Sequence, residues 1–231
     1  MVRIAVLDIT GCDADEFEAQ NPIPDTVKKR IEKAKNPGER ILKYAAYALL
    51  AKIYSEMRCG KEIPEIIDTS HGKPRFDDSF VNCGLDFNIS HDNGAVAVAI
   101  SDKEVGVDLQ SHGASTGAAA RIGTRFANAL AMLDEREGEV SDISFSFFVV
   151  CDGKISEKCG KEAEIDVLAK EKSSCDFFAR WTVLEAALKL DGGGFASIGK
   201  LEDVVRNAIF KTFTFKLRDK KYTLTVATEK E

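Results

Sequence analysis

Three histidines, one tryptophan, three methionines and five prolines are all that 231 residues contain. The six cysteines, at 12, 59, 83, 151, 159 and 175, include no CxxC pair. With so few imidazoles and no paired thiols, a structural zinc site is not expected. In a cytosolic chain, scattered cysteines read as reduced packing residues. No apolar run approaches the roughly 18–20 residues that span a bilayer. The opening MVRIAVLDITGCDADEFEAQ has no signal-peptide layout, because Asp8 interrupts its short apolar stretch. A cytoplasmic protein off the membrane is therefore expected. A positive excess is also missing: 38 acidic residues face 32 basic ones, a net charge of −6. That excludes general nucleic-acid binding by phosphate neutralisation.

What is present is 44% hydrophobic and 30% charged sequence, enough apolar side chain to exclude a disordered chain. The length suits one large domain or two small ones. The charge is uneven. Asp134–Asp166 holds ten acidic and four basic residues, so this stretch carries the whole net charge. It reads as an insertion of no assigned role.

Val2–Ile9 reads as a strand, Asp25–Lys35 and Glu39–Met57 as helices. Phe87–Ser90, Ala95–Ser101 and Val105–Gln110 read as strands, and Thr116–Leu133 as a helix. Ile143–Val150 alternates partly, with Asp152-Gly153 as a turn. Asp176–Leu190 is a helix stopped by Gly192-Gly193-Gly194. Phe210–Leu217 and Tyr222–Ala227 alternate in period two and form a hairpin. RIAVLDIT and EVGVDLQS are alike. Two related halves, 1–104 and 105–231, would produce that repeat, and so would a chance likeness of two short strands. The fold class expected is α+β.

Taken singly, the polar residues are bland. Phe177, Trp181, Leu184 and Leu188 form one apolar stripe at helical spacing, which reads as core. Glu185 and Lys189, four apart, read as an exposed ion pair worth about 0.3–0.5 kcal/mol. On Val105–Gln110, Val107 and Leu109 point one way, while Gly106, Asp108 and Gln110 point the other. Asp108 and Gln110 thus present two oxygens on one face, with Gly106 leaving room beside them, a pattern that suits Mg²⁺ or the polar outer face of a strand equally. His91 follows Ser90 at a strand end, and Lys73 sits in a Gly-Lys-Pro loop.

Their order is distinctive. GKP at 72–74, FNISH at 87–91, VGVDLQ at 105–110 and WTVLEAALK at 181–189 follow one another, with GGGF at 192–195 after the last. In these motifs the chain resembles the 4'-phosphopantetheinyl transferase superfamily, in the type that activates non-ribosomal peptide and polyketide synthases. The resemblance implies two similar halves about a pseudo-two-fold axis, with coenzyme A and Mg²⁺ (or Mn²⁺) in the cleft between them. It implies that a serine hydroxyl of an apo carrier protein attacks the β-phosphate, so that phosphopantetheine is transferred and 3',5'-ADP leaves. On that pattern Asp108, Gln110 and Glu185 match the metal ligands, and Lys189 the lysine that reaches the phosphates. Ser90 and His91 match contacts to the nucleotide phosphates, with Arg40 and Lys73 as candidates for the same role. Glu185, or a water on the metal, takes the serine proton.

Two positions depart from the pattern. Leu184 stands where many members have lysine, and it lies on the apolar stripe. Gln110 stands where many have glutamate, which lowers the charge offered to a cation. Gln110 also keeps a second reading open, a non-catalytic coenzyme A or carrier-binding module of the same fold. A different nucleotide-binding enzyme is disfavoured, since neither GxGxxG nor GxxxxGK[ST] occurs. Two internal halves make a monomer sufficient.

Overall fold

Val2–Asp8 forms the first strand, β1, and is apolar along most of its length because both its faces are buried. Ala5 and Leu7 enter one core, and Val2, Ile4 and Val6 enter another. The computed structural model describes residues 1–32, 34, 36–77, 84–113, 143–157, 165–167, 177–194 and 199–230. The helix expected over 116–133 and the acidic residues 134–142 and 158–164 lie outside them.

Three helices follow: α1 (Ala14–Gln20), α2 (Asp25–Ile31) and α3 (Pro37–Met57). α1 is not foreseen from the sequence, although Asp13 caps it by accepting from the Glu16 N–H at 2.9 Å. α3 starts at Pro37, where the Asn36 side chain accepts from the Gly38 N–H. Then come β2 (Ile66–Asp68), β3 (Pro74–Phe76), β4 (Asp86–Asp92), β5 (Ala95–Ser101), β6 (Val105–Ser111), β7 (Ile143–Cys151), β8 (Lys154–Glu157) and β9 (Ile165–Val167). The chain closes with α4 (Phe177–Asp191), α5 (Leu201–Asn207), β10 (Ala208–Leu217) and β11 (Lys220–Glu229). This is a mixed α+β fold. Among the described residues no helix is long and apolar enough to cross a membrane.

The larger sheet has the order β4-β5-β1-β7-β8, and the second β6-β11-β10-β9. In the larger sheet, all neighbours are antiparallel except β1 and β7. Its outer face packs on α3, its inner face on the second sheet, and α4 covers the far side of the second sheet. β5 sorts its side chains by size. Val96, Val98 and Ile100 fill the α3 side, while Ala95, Ala97 and Ala99 face the second sheet and let it approach.

Three expectations shift. The 143–157 part of the acidic stretch is a hairpin on the larger sheet, turning at Asp152 and Gly153 with φ of 48° and 73°. Its strand β7 lies parallel to β1. The helix expected to Lys35 ends by Ile31. The apolar stripe of α4 divides: Leu184 and Leu188 pack on Leu201 and Val205, while Phe177 and Trp181 stay half-buried.

The β10–β11 hairpin is pinned to the β4–β5 turn through Tyr222, whose hydroxyl donates to the Asn93 carbonyl at 2.9 Å. Burial, then Asp8 and Asp92, push its phenol up to about 12. The unfolded chain loses that proton near pH 10, so stability is retained below pH 10 and falls as pH rises toward 12. The expected loss is on the order of 2 kcal/mol over that window. Denaturant titrations at pH 9 and 11.5 check it. In Tyr222→Phe the extra alkaline loss should vanish, although the variant is weaker at pH 9 by one hydrogen bond.

Candidate active site

β4 and β6 are edge strands of different sheets, and they run side by side. No backbone ladder joins them. Instead, alternate side chains of β4 accept from alternate N–H groups of β6. Asp86 takes Val105 N–H at 2.9 Å, Asn88 takes Val107 at 3.0 Å, Ser90 takes Leu109 at 3.0 Å and Asp92 takes Ser111 at 2.7 Å. Four polar residues in period two thus satisfy an edge that would otherwise be orphaned. This seam aligns the FNISH and VGVDLQ motifs.

α4 lies on the other face of β6, and Gly106 is what lets it. A Cβ there would run into the Ala186 carbonyl oxygen and come within 2.6 Å of the Leu190 nitrogen. The room that Gly106 leaves is filled by helix backbone. At that approach, Phe177, Trp181, Glu185 and Lys189, spaced by four, form one ridge along α4. Trp181, Glu185 and Lys189 line a cavity of about 480 Å³ together with Ser90, His91, Asp108 and Gln110.

Lys189 does not form the exposed pair with Glu185. Its Nζ donates to Asp108 Oδ1 at 2.6 Å and to Ser90 Oγ at 2.9 Å. Ser90 in turn donates to Asp108 Oδ1 at 3.0 Å. With the Leu109 N–H bond, both lone pairs and the proton of the Ser90 hydroxyl are engaged. The structure thus gives Ser90 a holding role toward Asp108 and Lys189. Gln110 donates from Nε2 to Asp92 at 2.9 Å.

The electrostatics are tense. Asp108 is only 6% exposed, and burial raises its pKa against the opposing pull of Lys189 and Ser90. Its second oxygen, Oδ2, is buried without a hydrogen-bond partner among the described residues. Burial also raises the pKa of Glu185, and Asp108 raises it further. His91 is pushed down by burial and by Lys189 and Lys43, so its imidazole is neutral at pH 7.

Arg40 and Lys73 are not brought to this cavity. Arg40 pairs with Glu18 at 2.7 Å. Lys73 is a strut: its Nζ meets Asp86 at 2.9 Å and the Val105 and Leu190 carbonyls at 3.2 and 3.5 Å. The cation that α3 does supply is Lys43, which sequence reading missed. Its signal was the Glu39-Lys43-Tyr47 spacing of four, with Lys43 ion-paired to Glu39 at 2.6 Å. Asp92 was also missed as a cavity residue, and Trp181 was read as core.

The donor set fits a hard divalent cation. Among the described residues no three His, Cys, Asp or Glu side chains converge as a closed metal site. Mg²⁺ does not need one: it binds through one or two carboxylates and completes its shell from water and phosphate. Among the described residues Asp108 Oδ2 is an unpartnered buried acceptor, and the Glu185 carboxylate makes no hydrogen bond. Burial makes both carboxylates costly to charge, a cost that a cation would relieve.

No protein-family model matches this chain, and no curated protein matches it.

Proposed function

We propose that this protein transfers 4'-phosphopantetheine from coenzyme A to a serine of an apo carrier protein, as a two-halved member of the 4'-phosphopantetheinyl transferase superfamily. One observation carries the reading. Ser90, His91, Asp108, Gln110, Glu185 and Lys189, from three motifs up to 99 residues apart, line one cavity. The strand order adds support for two halves, since β4-β5-β1 and β10-β11-β6 are the same arrangement, each a hairpin with an earlier strand added antiparallel.

The reaction forms a bond from the serine oxygen to the β-phosphorus and breaks the bond from that phosphorus to the bridging oxygen of 3',5'-ADP. Charge gathers on the phosphoryl oxygens. Asp108, Gln110 and Glu185 would hold the Mg²⁺, which neutralises part of that charge when bound. Lys189 neutralises more of it as a point charge, and Lys43 faces it from α3. Ser90 keeps Lys189 and Asp108 in register. Neutral His91 has one N–H to donate to a phosphate oxygen. Glu185, whose proton affinity burial and Asp108 raise, would be the chain's own acceptor for the serine proton in a complex whose cation rests on Asp108 and Gln110, because a carboxylate that holds the cation is a weak base.

Mass spectrometry of apo carriers incubated with the protein, coenzyme A and Mg²⁺ tests this. One phosphopantetheine gained on a serine is expected. Coenzyme A binding without transfer to any carrier would favour the binding-module reading.

Gln110 provides a test that needs no turnover. Gln110→Glu sets a carboxylate against Asp92, where an amide now donates. Without metal, the variant should melt below wild type by a few degrees, about 1 kcal/mol of repulsion and lost hydrogen bond. Mg²⁺ should raise its melting temperature more than that of wild type. An equal response to Mg²⁺ would remove Gln110 from the ligand set.

A further inference from the structure

A second and larger cavity, about 580 Å³, opens on a different face of α3. It lies between Ala48, Ala51, Lys52 and Ser55 of α3, the Gln20–Pro24 loop, the Gly60–Ile63 turn, and Lys154 and Ile155 of β8. Nothing in the reaction proposed above uses it.

Its walls are built. Asn21 donates from Nδ2 to the Phe17 and Gly153 carbonyls at 2.8 and 2.5 Å and accepts from Ile155 N–H at 3.0 Å. That side chain locks the α1–α2 loop to the β7–β8 hairpin. Tyr44 donates toward the Glu18 and Asn21 carbonyls at 3.2 Å each. On the opposite side, Cys59 and Gly60 both take positive φ, 54° and 85°, and Gly60 N–H returns to the Ser55 carbonyl at 2.8 Å. This reversal folds Lys61–Ile63 back beside α3.

The chemistry of the lining is two-sided. Ile23, Ala48, Ile63 and Ile155, each at most 8% exposed, form an apolar floor continuous with the α3 core. Lys52, Lys61 and Lys154 stand around it against one carboxylate, Glu62. Lys61 and Lys154 make no ion pair among the described residues. Lys52 is engaged at 3.5 Å from Glu56 and 5.9 Å over the Phe148 ring, so Lys61 and Lys154 carry the excess. A local positive excess on a chain of net charge −6 selects an anion. Pro22 and Pro24 remove two backbone donors from the wall, which weakens it as a nest of N–H groups for phosphate. Point charges over an apolar floor of this volume suit a small ligand with one charged end.

We propose that this cavity binds an amphipathic carboxylate, an aliphatic or aryl chain ending in one acid group, at a site separate from the Asp108 cavity. Octanoate is the probe, followed by amide chemical shifts and calorimetry on the full chain at low ionic strength. Shifts centred on Ala51, Ser55 and Ile63 are expected, unchanged by saturating coenzyme A. Octanol and inorganic phosphate should each bind at least about tenfold more weakly, because each lacks one half of the match. Lys61→Ala with Lys154→Ala should weaken octanoate roughly fivefold or more, an effect that salt erodes. Ala51→Phe should abolish binding while the variant melts as wild type. The proposal is overturned if octanoate gives no shifts up to about 5 mM. It is equally overturned if the shifts fall on the Ser90–Lys189 cavity, or if octanol or phosphate binds as tightly as octanoate.

Discussion

Asp108→Asn is expected to lower the proposed phosphopantetheine transfer by about three orders of magnitude or more while the protein stays folded. Sequence alone allowed Asp108 to be a solvated strand-face residue. It is buried, and it accepts from Lys189 and Ser90. Alanine would strand both donors, so it confuses chemistry with stability. Asparagine keeps Oδ1 for them and removes the charge together with the second oxygen, which becomes an amide nitrogen. Loss of an anionic ligand to a phosphoryl-transfer cation costs several kcal/mol of transition-state stabilisation, and about 4 kcal/mol is a factor of 10³. Lys189 tolerates the change because its side chain is 28% exposed and reaches water. Single-turnover rates beside a thermal melt decide the matter. Transfer within tenfold of wild type would remove Asp108 from the metal site.

Lys189→Met should have the second-largest effect, and on two observables. The variant leaves Asp108 as a buried charge with Ser90 as its remaining hydrogen-bond donor among the described residues. Breaking such a pair from one side costs about 3 kcal/mol or more, which lowers the melting temperature by roughly 6–12 °C for a chain of this size. On the proposed reading coenzyme A should bind at least about tenfold more weakly, because the cation assigned to its pyrophosphate is gone. The double variant Asp108→Asn, Lys189→Met separates the two. Its stability should return most of the way to wild type, since no charge is left stranded, while transfer and coenzyme A affinity stay low. If the double variant remains as unstable as Lys189→Met, the stranded carboxylate is not the cause. Normal coenzyme A affinity in Lys189→Met would end its assignment to the phosphates.

Much of the local structure was legible because it is driven by short-range patterns. The period-two segments of the closing hairpin, the 3.6-period helices and the Asp152-Gly153 turn each carry their own steric and hydrophobic signal. The alternation of β6 is of this kind: Val107 and Leu109 enter the core between the sheets, and Asp108 faces α4. α1 escaped notice because seven residues hold too few apolar positions to show a period. Trp181 was misread because a stripe at helical spacing says which residues share a helix face, and nothing about what lies opposite it.

The sequence by itself determined that a carboxylate, an amide and an i,i+4 Glu185/Lys189 pair would sit on defined faces of one strand and one helix. Backbone geometry alone requires that. Only the tertiary structure decided what those faces meet. The seam between β4 and β6 depends on four side chains meeting four N–H groups about 19 residues away. The depth of α4 depends on a missing Cβ at Gly106. The same packing gave Lys189 to Asp108 rather than to Glu185, turned Lys73 into a strut, and brought Lys43 to the cavity in place of Arg40. Each choice is a competition between long-range partners for a buried polar group, settled by which one can reach it in a close-packed interior.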